Sequence, residues 1–124
     1  MDILTGIKGS KTIKVQEKDT ALAHGSGTVE VFATPAMVAL MENAAQSSVQ
    51  PHLPEGYTTV GTEISVKHIK ATPLHQQVKA HSELIRTEGK KLSFNIEAHD
   101  EQGNIGFGTH TRYIVEMKIF NNPK

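Results

Sequence analysis

The sequence predicts an α+β fold in which a strongly curved antiparallel sheet wraps around one central helix. Only one segment, beginning at Thr34, carries a long helical pattern of apolar residues. After Gly56 the chain instead alternates between apolar and polar residues with a period of two, and turn sequences divide this region into strands. A single helix that precedes an antiparallel meander buries its apolar face against one side of that sheet.

The central helix is predicted to end at Gln50 and Pro51. Thr34 is suited to cap its amino terminus, and Pro35 is suited to the first helical position. Its inward stripe consists of mostly small, apolar residues spaced three and four apart, namely Met37, Leu40, Met41, Ala44, Ala45 and Ser48. Because these side chains are small, the sheet can approach the helix closely on that side.

One strand is predicted before the helix, from Thr12 to Lys18, with Ile13 and Val15 facing inward. The later strands are predicted over Thr58 to Ile69, Gln77 to Arg86, Leu92 to His99 and Ile105 to about Ile119. The inward face of the first of these four is formed by Val60, Thr62, Ile64, Val66 and His68. Long strands leave exposed edges, so we expect the sheet to pair with that of a second copy in a homodimer.

Composition narrows the classes of function. The 124 residues fit one domain, residues 1–124, with one core. Lysine plus arginine and aspartate plus glutamate each number 13, so no broad electrostatic field favours nucleic acid or a membrane surface. There is no cysteine, which removes disulfides, thiolate metal sites and a cysteine nucleophile. No apolar stretch has the length of a signal peptide or a membrane span, so we expect a cytoplasmic protein.

Three side chains carry the groups that acyl transfer needs: the hydroxyl of Thr34, the carboxylate of Glu42 and the imidazole of His68. Each also has a simpler interpretation, as a helix cap, a solvated helix edge and a hydrogen-bonded core histidine, respectively. Thr34 and Glu42 are eight residues apart, about 12 Å along a helix, and cannot touch within it. A third element or a second subunit must therefore complete such a site.

Two further positions are candidates for substrate binding. Gly61 interrupts a predicted strand, which marks either a bulge or a place where a backbone N–H faces an oxyanion. In the last strand His110 and Arg112 share one face and Phe107 lies on the other. Arg112 is suited to hold a carboxylate or phosphate, although a solvated face or a surface salt bridge is the more common position of an arginine.

No cofactor or metal is expected. Seven histidines are present, but no pair has a spacing of one, three or four residues, and no zinc signature occurs. The glycines at 103, 106 and 108 lie in a predicted hairpin and strand rather than at the start of a helix, so they do not form a phosphate-binding loop.

Nearly the whole chain, from Val15 to Val115, resembles the fluoroacetyl-CoA thioesterase-like branch of the hotdog superfamily. The strings that carry the resemblance are Val31 to Val38, Met41 to Ala45, Val60-Gly61-Thr62, Val66-Lys67-His68, Ala71-Thr72-Pro73, and Gly106-x-Gly108-Thr109-His110-x-Arg112. None of these short strings is specific alone, and the resemblance rests on their combined spacing.

The resemblance implies a homodimeric hotdog domain that hydrolyses an acyl-CoA without metal, with Thr34, Glu42 and His68 as catalytic residues. Its substrate contacts correspond to Gly61 and Arg112. Glu42 would take a proton from water or from Thr34. His68 would polarise the thioester carbonyl or protonate the leaving thiolate, and a backbone N–H near Gly61 would stabilise the oxyanion.

The aromatic lid of the fluoroacetate-specific enzyme has no counterpart between Ala23 and Val29, which favours a generic short acyl group. Whether Thr34 is the nucleophile or positions water is left open by the sequence. Two other functions fit the same fold: a non-catalytic protein that binds acyl-CoA or an acyl carrier, and a hotdog enoyl-CoA hydratase or dehydratase.

Overall fold

The computed structural model describes residues 3–121 and contains a five-stranded antiparallel sheet. The strands are β1 (Lys8–Lys14), β2 (Tyr57–His68), β3 (Gln77–Glu88), β4 (Lys91–Asp100) and β5 (Gly103–Glu116). They are arranged in the order β1-β3-β4-β5-β2, so that β1 and β2 form the two edges. The predicted α+β architecture is confirmed, with four strands following the long helix.

The helices are α1 (Ala21–His24), α2 (Thr34–Val49) and α3 (Met117–Asn121), and single 3-10 turns occur at Glu17–Asp19 and Gln50–His52. The apolar stripe of α2 packs against the sheet and forms the core together with inward residues of β3 and β4. Fully buried members of this core include Met37, Met41, Ala44, Ala45, Val78, Ala80, Leu84, Leu92, Phe94 and Ala98. Across residues 3–121, no helix has both the length and the apolar character needed to cross a membrane.

Two predicted strand boundaries are wrong. The first strand occupies Lys8–Lys14 rather than Thr12 to Lys18, because pairing with β3 sets its register from Lys8 opposite Glu83 to Lys14 opposite Gln77. At the other end, β5 stops at Glu116 and α3 begins, although a strand was predicted to about Ile119. The Met117 N–H donates to the Gly56 carbonyl at 2.9 Å, which anchors the chain where the strand gives way to the helix.

A β-bulge in β2 changes which side chains face the helix. The pairing of β2 with β5 shifts register between Gly61 and Glu63, as the glycine in this strand predicted. Val60 is 39% exposed, and Thr62 is exposed as well, so these two residues do not share the inward face predicted for them. Beyond the bulge the alternation resumes on the helix side, and it carries His68 inward at the end of the strand.

Candidate active site

Thr34 and His68 form a hydrogen-bonded pair. Thr34 is the first residue of α2 and His68 the last residue of β2, and Thr34 Oγ1 lies 2.8 Å from His68 Nδ1. The predicted capping role of Thr34 is wrong, because Ala33 occupies the N-cap position and no side chain caps this end of the helix. The hydroxyl is therefore available to the imidazole.

The surroundings of His68 favour its neutral form. Burial lowers the pKa of His68 below the usual 6.5, and the backbone of Lys70 opposes this shift. A neutral imidazole near pH 7 can accept the Thr34 proton at Nδ1. Its buried Nε2 atom has no hydrogen-bond partner among residues 3–121, and the ring meets Phe32 edge-on at a centroid distance of 6.4 Å. One ring nitrogen is thus paired with a hydroxyl, and the other is buried without a hydrogen-bond partner among the described residues.

The pair borders a cavity of about 350 Å³ between α1 and the segment that follows β2. Its walls are mostly apolar or small, and they include Ala21, Ser26, Val31, Phe32, Ile69, Lys70 and Ala71. A cavity of this size lies at the lower end of the range for small-molecule sites. The reactive groups thus sit where a small acyl group could be placed against them.

Glu42 lies in a different cluster. Among the described residues it forms no hydrogen bond with Thr34 or His68. A Cβ atom built on Gly61 would lie 3.0 Å from Glu42 Oε2, 3.1 Å from His110 Cε1 and 3.2 Å from Arg112 Nη1. Gly61 therefore serves two purposes at once, because it accompanies the bulge and leaves the space in which these three side chains meet.

Arg112 is the buried cation of this second cluster, with only 7% of its surface exposed. Its Nε–H donates to Thr59 Oγ1 at 2.7 Å, and its Nη2–H donates to the Thr59 carbonyl at 3.0 Å. Burial lowers the pKa of Arg112 below its usual value, and the negative charge of Glu42 opposes that shift. A solvated or surface position for Arg112 is therefore wrong, and the guanidinium is fixed on the helix side of the sheet.

His110 belongs to the same cluster and was not singled out as a site residue from the sequence. It is 2% exposed, its Nδ1 lies 2.8 Å from the Glu63 carbonyl, and its Nε2 lies 3.1 Å from Arg112 Nη1. Burial lowers the pKa of His110 most, and the positive charge of Arg112 lowers it further. The available signal was the alternation that placed His110 and Arg112 on one face of β5.

Asp100 supports the segment that carries His68. Its carboxylate is fully buried and accepts hydrogen bonds from Lys70 Nζ at 2.9 Å and from Thr72 Oγ1 at 2.8 Å. Burial acts to raise the pKa of Asp100, but hydrogen bonds from Lys70, Gln102 and Thr72 outweigh it and hold the pKa below 3.8. Lys70 and Thr72 follow His68 closely, so this network fixes one wall of the cavity.

Within the part of the chain that the structure describes, no three histidine, aspartate or glutamate side chains are grouped so as to hold a metal ion. The candidate site residues fall into two groups: a Thr34–His68 pair, and a cluster formed by Glu42, Gly61, His110 and Arg112.

Comparison with known proteins gives a consistent result. The profile of the fluoroacetyl-CoA-specific thioesterase family, FlK, matches residues 15–118. The fluoroacetyl-CoA thioesterase of Streptantibioticus cattleyicolor is 44% identical over 92 residues, which cover 74% of this chain and 66%, just under two-thirds, of that relative.

Solved structures agree with this match. The protein in a crystal structure of an FlK variant in complex with fluoroacetate and CoA is 34% identical in sequence to this chain. The two structures match with a TM-score of 0.89 over 96% of this chain and 100% of that chain. A hot-dog-like protein from Thermanaerovibrio acidaminovorans is 24% identical, with a TM-score of 0.85 over 95% of this chain and 87% of that chain, and it supports the fold alone. The hotdog architecture expected from the sequence is confirmed, and this chain belongs to the fluoroacetyl-CoA-specific thioesterase (FlK) family.

Proposed function

We propose that this protein is an acyl-CoA thioesterase that hydrolyses a short-chain acyl-CoA to the free acid and CoA without a metal ion. The observation that carries the proposal is the 2.8 Å contact between Thr34 Oγ1 and His68 Nδ1 at the edge of a small cavity. Membership in a family whose characterised relative is named a fluoroacetyl-CoA thioesterase supports the same chemistry.

In the proposed reaction His68 acts as the base. Its neutral Nδ1 takes the proton of the Thr34 hydroxyl, or of a water molecule held by that hydroxyl, as the oxygen attacks the thioester carbonyl. The C–S bond then breaks, and the thiolate of CoA leaves with the proton that His68 holds. If Thr34 is the nucleophile, a water molecule repeats the sequence to release the acid.

Two features near the pair favour negative charge on the reacting carbonyl oxygen. Helix α2 begins at Thr34, and its amino terminus carries a partial positive charge. The second candidate is a backbone N–H near Gly61 of the other copy in a homodimer, because Gly61 and His68 of one copy are seven residues apart on the same strand. The cavity of about 350 Å³ has room for a short acyl group, and Val31, Phe32 and Ile69 form an apolar part of its wall.

Because the candidate site residues of one copy form two separate groups, a homodimer is the assembly that could bring these groups together. Strand β2 is a 12-residue edge strand that carries both Gly61 and His68. In an antiparallel pairing of two β2 strands about a twofold axis near their midpoints, the end of one strand that carries His68 would lie beside the end of the other strand that carries Thr59. Thr59 binds Arg112. The pair of one copy would thus face the Glu42 and Arg112 cluster of the other.

Mixing two variants tests this shared site, because Thr34→Ala removes the hydroxyl of one copy's pair and Glu42→Ala removes the carboxylate that the other copy would supply beside the reacting water. In a heterodimer of Thr34→Ala with Glu42→Ala, a site shared between copies leaves one site fully intact, so an equal mixture should recover about a quarter of the wild-type rate of CoA release. If each site lies within one copy, every site in the heterodimer carries a substitution, and mixing recovers nothing. The two variants must be unfolded and refolded together, with each variant alone carried through the same treatment as the control.

The proposed reaction is tested by CoA release from a panel that includes acetyl-, fluoroacetyl-, propionyl- and butyryl-CoA. Wild type should release free thiol from at least one of them. Thr34→Ala should lower kcat/KM by about two to four powers of ten, whereas Thr34→Ser, which keeps the hydroxyl, should retain most of the activity. Binding of acyl-CoA without thiol release, or an absorbance change on an enoyl-CoA without thiol release, would contradict the proposal.

The remaining expectations belong to the same proposal. We place the enzyme in the cytoplasm, because its substrate class is intracellular, and we treat residues 1–124 as one catalytic domain. We assign no nucleic-acid or membrane partner and no cofactor, because the reaction requires only the side chains named above.

A further inference from the structure

The structure points to a positioning role for His110 that rests on the proposed function. We propose that His110, held as the tautomer protonated at Nδ1, accepts a hydrogen bond from Arg112 and thereby fixes the guanidinium beside Gly61, so that both predicted substrate contacts keep their relative position. His110 acts through Arg112 and has no reacting atom of its own.

The tautomer of His110 follows from its two partners. A backbone carbonyl only accepts hydrogen bonds, so His110 Nδ1, at 2.8 Å from the Glu63 carbonyl, must carry a proton. A guanidinium only donates, so His110 Nε2, at 3.1 Å from Arg112 Nη1, must be unprotonated. Both bonds are satisfied only by the neutral ring with its proton on Nδ1.

Arg112 is oriented by three contacts that come from different parts of β2 and β5. Thr59 fixes Nε and Nη2, and His110 fixes Nη1. Three of the five N–H groups of the guanidinium are used in this way, so two remain for other acceptors. Because Nη1 lies 3.2 Å from the point where a Cβ on Gly61 would be, the contact from His110 determines the position of the nitrogen nearest to that space.

His110 also connects Arg112 to the bulge. The Glu63 carbonyl that receives its Nδ1–H directly follows the register shift in β2. The imidazole is packed near Phe94 of β4, with ring centroids 6.1 Å apart, so it has little freedom to rotate. The bulged edge strand β2 therefore fixes the imidazole of His110, and the imidazole in turn fixes the guanidinium of Arg112.

This arrangement is sensitive to the charge on His110. The charged groups that act on it are Arg112 on its own strand and Glu42 on α2. Burial and Arg112 lower the pKa of His110, whereas Glu42 and the bond to Glu63 raise it, with a net decrease. Protonation of Nε2 would place an N–H against an N–H of Arg112 and break the contact, so the position of Arg112 should be lost at low pH.

Two substitutions separate the contact from the volume of the ring. His110→Phe keeps the ring but removes the acceptor, and it should lower kcat/KM by about 10- to 100-fold, because a buried charged donor loses its partner. His110→Gln places Oε1 where Nε2 accepts from Arg112, and it should stay within about fivefold of wild type at pH 8. His99→Gln, a half-exposed histidine on β4, is the matched control and should match wild type.

A double-mutant cycle with Arg112 distinguishes positioning from a merely structural role. In the Arg112→Met background, His110→Phe should produce no further decrease in kcat/KM, because its effect passes through the guanidinium. If the two substitutions lower kcat/KM independently, the proposal is overturned. If His110→Phe does not fold, the decrease of kcat/KM at low pH decides between the two roles. In wild type the steepness of this decrease should correspond to the binding of more than one proton, whereas in His110→Gln it should correspond to one proton fewer. Identical acid limbs would overturn the proposal.

Imidazole nitrogen NMR tests the tautomer without any turnover. In protein labelled with nitrogen-15, the His110 resonances, assigned by their absence in His110→Gln, should show a protonated Nδ1 and an unprotonated Nε2 at neutral pH. A proton on Nε2 would overturn the proposal. Because this measurement needs no substrate, an absence of CoA release by wild type would count against the proposed function and leave this result standing.

Discussion

Substitution of Gly61 by alanine tests whether the close packing of the second cluster is needed for activity. The new Cβ would lie 3.0 Å from Glu42 Oε2, whereas ordinary contacts begin at 3.4 Å, so the carboxylate must move by about 0.4 Å. His110 Cε1 and Arg112 Nη1, at 3.1 and 3.2 Å, must move by smaller amounts. Since a displacement of about 1 Å can cost about 100-fold in rate, kcat/KM should decrease about five- to tenfold.

The fold should tolerate this change. Glu42 Oε2 is the end of a flexible side chain, and replacing glycine by alanine reduces the conformational entropy of the unfolded chain, which offsets part of the crowding. We therefore expect the free energy of unfolding to change by less than about 1 kcal/mol. The assays are CoA release and thermal unfolding, and Val60→Ala, on the opposite face of β2, is the control for a neighbouring change. Wild-type kcat/KM in Gly61→Ala would refute the reasoning.

Two other predictions concern pH and stability. Because burial lowers the pKa of His68 and the base must be neutral, kcat/KM should decrease at low pH with a midpoint below 6.5; a midpoint above 6.5 in the pH profile would contradict the assigned role. Asp100→Asn should cost about 2–3 kcal/mol of unfolding free energy, because Lys70 and Thr72 lose a buried carboxylate. Since the pKa of Asp100 is lowered on folding, this stabilisation is present above pH 3.8 and is lost as the pH falls through the lowered value. Urea unfolding at several pH values should therefore show the two proteins converging at low pH, and a constant difference would contradict this account.

The elements with a strong local pattern were predictable from the sequence. The apolar spacing from Met37 to Ala45 defines one face of a helix, and regular alternation in β3 and β4 defines two strands. Both patterns predict the observed elements. β1 was misplaced because its seven residues include a single hydrophobic residue, Ile13, and partner strands rather than local pattern set its limits. The bulge itself was signalled by Gly61, but its effect on the preceding side chains depends on the register with β5.

The site was only partly predictable for a related reason. Thr34 at the start of a helix is normally a cap, and nothing local indicates that Ala33 takes that position and leaves the hydroxyl for His68. The residues of the pair are 34 positions apart, and His110 and its acceptor Glu63 are 47 positions apart. Periodicity gives the face of a strand on which a side chain lies, but tertiary packing decides which partner it meets.

The central claim, that His68 activates Thr34 for thioester hydrolysis, is tested most directly by the rate of CoA release from the best acyl-CoA substrate in His68→Gln. The account predicts that kcat/KM decreases by about two to four powers of ten while the thermal unfolding midpoint stays near that of wild type, and that His99→Gln keeps full activity. A folded His68→Gln protein with wild-type kcat/KM would contradict the account.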